Sequence, residues 1–495
     1  MEIDVRRALV LLSAVGLIAA QQVAADLRPQ QKAGEICGPD LVAVRVPLAA
    51  DTERCVGCGL VRVEADGSTT VLTPDFAAAR DPSVAFDGRT ILFAGRKGVT
   101  DRWQIWRIDS DGSNPRKIID DGGNATAPLH VGSLFHLDDD RPTERFVYLS
   151  DTHGWADPFT GKAGTALYAA DLDGGNPWRI SFNLGSDLAP DVLANGRLVF
   201  PSRRANGGFA LMAVNNDGTD LMAYADAHTG AAHQAMVAVA PNRVYFVATD
   251  TPGPLGGGAL VYVSHRRPLR SRTVLTRGDG GWYHSPRPLS DGGLVVSYLP
   301  GDESGGYRLV RLSPEMGEPI GPGIAADGFH LVDAHELTPR PRVRGRSSVV
   351  KMAASTGVFF CISSHLSDRP GVMEAARAAT HLRVIRGIPT APGSTPAAPP
   401  ARQVLGEILI EGDGSFHIEV PASAPIAFEM LDAEGNVVAA QEDWIWVMPR
   451  ESRGCVGCHE DREMVPPNTL AEAVVKPAIR LPRPQSTPTH TGDAR

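Results

Sequence analysis

From about Leu41 onward, short apolar runs alternate with tight polar turns. The clearest copy opens with Asp81-Pro82-Ser83-Val84-Ala85-Phe86-Asp87-Gly88. It continues through Thr90-Ile91-Leu92-Phe93-Ala94 and Gln104-Ile105-Trp106-Arg107-Ile108 to a second turn at Asp111-Gly112. Runs this brief, bounded by Asp-Gly and rich in β-branched and aromatic side chains, predict strands joined by hairpins. Fainter copies pair Phe146–Leu149 with Leu167–Ala170, and place Asn195-Gly196 before Leu198–Phe200. Further on, Pro241-Asn242 precedes Val244–Val247 and Asp291-Gly292 precedes Leu294–Tyr298. Gly196, Asn242 and Gly292 stand 46 and 50 residues apart, a spacing expected of propeller blades. Five copies are legible, residues 43–76 supply part of a sixth, and Phe329–Asp333 is the expected closing strand. The chain therefore reads as mainly β, with a six-bladed β-propeller over residues 43–341 and seven blades as the alternative.

After Thr338-Pro339-Arg340-Pro341-Arg342 the repeat stops. Val358–Ile362 and His381–Ile385 predict strands, and a Pro-rich run over 390–400 spaces them from a second group. That group is Gly406–Ile410, Ser415–Pro421, Ile426–Leu431 and Val437–Ala439. Residues 342–480 are thus expected to form a small β-rich domain, with a disordered Pro/Thr/Ser-rich tail over 481–495.

Near the end of that domain stands Cys455-Val456-Gly457-Cys458-His459. Cys-x-x-Cys-His is the attachment signature of c-type haem. Two thiols about one helical turn apart reach the two vinyl groups on one porphyrin edge, and the next residue faces the iron. Cys455 and Cys458 are the expected thioether anchors of a single covalent haem c, and His459 its proximal ligand. The preceding Trp444-Ile445-Trp446-Val447 suits packing on the ring, and equally an ordinary core.

The N-terminus bears on the compartment. Arg6 and Arg7 precede an apolar run from Ala8 to Ala20, followed by Val23-Ala24-Ala25, so residues 1–25 read as a signal peptide and 26–42 as a polar lead-in. No later stretch is long and apolar enough to span a bilayer, and a periplasmic or secreted protein is expected. The formal net charge of −9 and the lack of a basic cluster argue against nucleic acid as a partner.

The phrase over residues 81–112 resembles TolB-type propeller repeats. Downstream, "DGSFHIEVPASAPIAFEMLDAEGN" and "ESRGCVGCHEDREMVPPN" resemble proteins related to the hydrazine synthase alpha subunit, in which a propeller precedes a middle domain carrying c-type haem. The resemblance implies the haem roles of Cys455, Cys458 and His459. The chain departs from the synthase in having one Cys-x-x-Cys-His and ending 36 residues after His459. Hydrazine synthesis is therefore not expected of it.

The other four cysteines are Cys37, Cys55, Cys58 and Cys361. Cys55-Val56-Gly57-Cys58-Gly59 repeats the haem tetrapeptide without the histidine. A disulfide is the leading expectation, with a thiolate metal site or a second haem as alternatives. Asp109-Ser110-Asp111-Gly112 reads as a hairpin turn rather than a calcium loop, because its glycine is misplaced and the liganding Glu is missing. His233, His284, His330 and His335 lie near blade starts and are expected to be hydrogen-bonded structural residues.

For the distal iron position the candidates are His417 and Met464, with His365 and His490 behind them. The expectation is an open or weakly occupied site. Two functions follow. The first is periplasmic electron transfer, or a haem-bearing component of an oxidoreductase whose propeller docks a redox partner. The second is a propeller-based binding protein with a structural or sensory haem.

Overall fold

The computed structural model describes residues 38–50, 55–136, 141–225, 233–276, 280–302, 305–315, 317–367, 370–395, 400–457 and 468–481. The expected signal peptide, Cys37, Cys458, His459, Met464 and His490 lie outside the described residues, as does the side chain of His233.

Six four-stranded antiparallel sheets follow one another between Leu41 and Glu336. Four are built from consecutive strands, and the third sets aside only Leu134–His136. The second, for example, runs Ala78–Val84, Thr90–Arg96, Gln104–Asp109 and Arg116–Ile119. The first is composite: Phe329–Glu336 returns to pair with Leu41–Pro47, which continues to Gly59–Val63 and Thr69–Val71. This is the closing strand expected from the sequence, and it brings the last part of the array back against the first. Phe329–Glu336 touches both Trp282–Pro288 and Ala78–Val84. Each sheet buries alternate apolar residues against its neighbours, as Val147, Leu167, Leu198 and Phe200 do between the third and fourth. The Asp-Gly segments are the hairpin turns predicted. At Asp111-Gly112, Gly112 has φ +87° and its N–H donates to Asp109 O at 2.9 Å.

One regularity was not read from the sequence. Five of the six first strands carry a residue in the left-handed region: Asp81, Ala127, Met236, Ser285 and Asp333. The ladder register shifts at each of them, so they are β-bulges. A bulge re-aims side chains and bends its strand, and here it links neighbouring sheets. Asp81 Oδ2 accepts Ala127 N–H at 3.1 Å, and Asp191 Oδ2 accepts Val239 N–H at 2.8 Å. Arg287 bridges Asp191 at 3.6 Å and Asp333 at 3.2 Å, and His335 Nε2 lies 3.1 Å from Asp333 Oδ1. His335 and Arg287 beside it hold the Asp333 carboxyl well below the usual range against its own burial. His284 and His330 are likewise hydrogen-bonded, to Ser285 Oγ and to the Tyr307 N–H, as structural histidines should be.

The linker after the array is pinned along its length. Arg340 N–H donates to Phe86 O, Arg344 N–H to Ala194 O, and Arg346–Ser348 pairs in parallel with Leu134–His136. The chain then forms two further four-stranded sheets. One has the order Ser452–Cys455, Thr356–Cys361, Phe416–Pro421, Ile479–Arg480. The other has the order Ala401–Leu409, His381–Ile388, Ile426–Leu431, Val437–Ala440. Phe359, Leu382, Val384, Phe416, Ile418 and Met430 fill the space between them. A short helix, Pro370–Arg377, which the sequence reading did not include, adds Ala376 to this core.

Trp444 and Trp446 fasten this domain to the propeller. Trp446 is 2% exposed, packs near Phe182, and donates from Nε1 to Gly218 O at 3.0 Å. Trp444 packs with Leu184, Ile385 and Ala427. Of the two readings of these indoles, the structure shows core: they seal the junction. No helix among the described residues is long and apolar enough to cross a membrane.

Candidate functional site

The strand Ser452–Cys455 lies parallel to Thr356–Cys361, with Cys455 opposite Cys361, which in turn lies opposite Phe416. Residues directly across a ladder share a face, so Cys455, Cys361 and Phe416 point together, into a cavity of about 270 Å³. Leu382, Phe428, Met430 and Ile445 complete an apolar wall, and Leu221, Met222 and Ala223 of the fourth propeller sheet form the far side. The cavity therefore lies at the junction of the two domains.

The approach to Cys455 depends on close packing. At Gly454 a Cβ would stand 2.5 Å from the Phe360 ring, and at Gly457 one would stand 2.4 Å from Leu366 O. Both contacts are shorter than a Cβ tolerates, so glycine lets residues 454–457 lie close against their neighbours. Two hydrogen bonds hold it there, from Ile362 N–H to Cys455 O at 2.9 Å and from Ser363 N–H to Val456 O at 3.1 Å.

Two charged residues just upstream tie this strand to the propeller. Arg453 donates to Trp446 O at 3.1 Å and also to Leu221 O. Glu451, 5% exposed, accepts the Asp220 N–H at 2.7 Å and the Met448 N–H at 2.6 Å. Burial pushes its carboxyl up to about 7, against the two N–H donors that favour the ionised form.

The predicted site residues fare differently. Cys455 lies at the cavity, while Cys458 and His459 follow it outside the described residues. His417 alternates with Phe416 and Ile418 as expected, but that alternation puts it on the face of Phe360, across the sheet from Cys455. Its Nδ1–H donates to Lys476 O at 2.9 Å. The structure thus separates this distal candidate from the cavity. His365 sits in the turn beside the motif, its ring packed over Gly414. Met430, buried on the cavity wall, was missed. Its place in an ordinary apolar strand gives no local signal of a site.

Cys55 and Cys58 are disulfide-bonded to each other, with Cα atoms 5.4 Å apart. This replaces the alternatives of a metal site or a second haem there. Cys361 belongs to the core between the two C-terminal sheets, next to Cys455 rather than to that pair. Among the described residues no three His, Cys, Asp or Glu side chains cluster as a metal site.

Residues 372–460 match the model of a family described as the hydrazine synthase alpha subunit middle domain. The hydrazine synthase subunit alpha of Kuenenia stuttgartiensis is 24% identical over 497 residues, covering 79% of this chain and 61% of that protein. The chain thus spans less than two thirds of its curated relative. The solved hydrazine synthase of the same organism superposes with a TM-score of 0.78 at 20% identity, covering 88% of this chain and 71% of that one. That likeness speaks to the fold, and it extends through the propeller-like array as well as the middle domain. In sequence and in fold, this chain is a relative of the hydrazine synthase alpha subunit.

Proposed function

We propose that this chain is an exported c-type haem protein, with a six-bladed propeller as scaffold, that acts in electron transfer or as the haem-bearing component of a redox enzyme assembly. The observation that carries the reading is the position of Cys455, at an apolar cavity closed by two domains. A porphyrin needs apolar surroundings and a thiol at its edge, and this cavity has an apolar wall and Cys455. Cys455 and Cys458 would anchor the ring and His459 would bind the iron. Haem, when bound, supplies one-electron redox chemistry.

The chain's own residues do the rest. Leu382, Phe416, Phe428 and Ile445 exclude water from the slot, which favours the less charged, reduced state of a haem centre. Arg453 and Glu451 fix the strand that presents Cys455, so the anchor is held from the propeller side. The curated relative is named as a subunit, and we infer from it that this chain also works with protein partners. Hydrazine synthesis is not part of the proposal.

A potentiometric titration of the exported, full-length protein tests the reading. A reversible one-electron wave with haem absorbance changes is expected. Protein exported alongside the haem-attachment machinery that carries no haem would reject it.

A further inference from the structure

A second cavity, of about 680 Å³, opens between the fourth and fifth sheets. Three arginines line it, Arg197, Arg266 and Arg346, and no carboxylate is among the described residues that line it. In a chain of net charge −9, such a lining concentrates positive potential at one place.

Each cation is held differently. Arg197 is fixed on the wall by Asp220 and by its Nη1 contact with Met222 Sδ at 2.7 Å, so its charge is partly compensated. Arg346 comes from the linker and lies over the Asn195-Gly196 turn. A Cβ at Gly196 would stand 3.1 Å from its Cγ and 3.2 Å from its Cδ. The buried Arg346 Nε finds no hydrogen-bond partner among the described residues. A buried donor of this kind calls for an acceptor. Arg266 is exposed at the rim. His265 is scaffold: its Nε2–H donates to Ala240 O at 2.6 Å, and its Nδ1 lies 2.9 Å from Tyr224 Oη.

We infer that this cavity is an anion site that takes the oxygens of a carboxylate or a phosphate-like group between Arg346 and Arg266. Guanidinium forks match such oxygens in pairs, which ammonium groups and backbone donors do not. Met222 and Ala223 line this cavity and also the one that holds Cys455, so the two share a wall. The oxygens therefore have two sources, a free small anion or the propionate carboxylates of the haem. The first stands without the haem reading, and the second rests on it.

The test is calorimetric titration of inorganic phosphate, at constant ionic strength, into full-length protein made with and without the haem-attachment machinery. Saturable binding should weaken about tenfold in Arg346→Gln and in Arg266→Gln, and stay unchanged in the remote, exposed Arg116→Gln. Equal affinity in both preparations assigns the site to a free anion. Binding present only without haem assigns it to the propionates. No saturable binding in either preparation, or binding indifferent to both cavity substitutions, overturns the inference, whatever the haem content proves to be.

Discussion

Cys361 stands directly across a parallel ladder from Cys455, and both face the same apolar cavity. Two cysteines therefore meet at the cavity, and the motif supplies Cys458 three residues further along the chain. Only the Cys-x-x-Cys pair has the spacing that matches two vinyl groups of one edge. Cys361→Ala should leave covalent haem in place, at a modest cost in stability because a small buried side chain is shortened. Mass spectrometry of the intact protein reads the outcome. Loss of the haem adduct in Cys361→Ala would give this residue an anchoring role.

The Cys55–Cys58 disulfide closes a loop with only two residues inside it. Short loops lose little unfolded-state entropy when closed, so the bond should contribute about 2 kcal/mol. The double Cys→Ser variant should fold, with a slightly lower denaturation midpoint. Thiol counting on the denatured wild type should find these two oxidised, with no zinc by metal analysis. Near-stoichiometric zinc would contradict the disulfide.

Glu451 gives the domain junction a pH dependence. Its folded carboxyl lies near 7 against an ordinary value of 4.5. The folded state therefore holds a proton that the unfolded chain has released. Its contribution is fully present below about 4.5 and is lost as pH rises through about 7. The effect on unfolding free energy should be on the order of 3 kcal/mol, and Glu451→Gln should flatten the slope over that window. An unchanged slope in the variant would place the titration elsewhere.

His417 lies across the sheet from Cys455, and the open or weakly occupied distal position proposed for the haem has a direct readout. Carbon monoxide should bind the ferrous protein readily and shift its Soret band. A low-spin spectrum indifferent to carbon monoxide, restored to reactivity by Met430→Ala, would show that the cavity methionine occupies that position.

Much of the fold was legible because propeller strands are written locally, as apolar runs between Asp-Gly turns. Even the return of Phe329–Glu336 to the first sheet followed from a missing strand. The left-handed bulges at Asp81, Ala127, Met236, Ser285 and Asp333 were not legible, because they occur in residues of five different positions along ordinary strands and four residue types. The alternation of His417 with Phe416 was read correctly. Which side of the sheet faces Cys455 depends on a parallel pairing between segments nearly a hundred residues apart, and no local pattern encodes that. The same holds for the indoles of Trp444 and Trp446, whose partners Leu184 and Gly218 come from the propeller. The strand Ala401–Leu409 starts earlier than Gly406, since the Pro-rich run stops at Pro400 and the chain can extend at once.

The most direct test of the central claim is the mass of the exported, full-length protein after complete denaturation. Wild type should carry one haem bound through thioethers, and Cys455→Ser with Cys458→Ser should carry none while keeping the Cys55–Cys58 disulfide. Covalent haem retained in that double variant, or absent from the wild type made with the attachment machinery, would contradict the account.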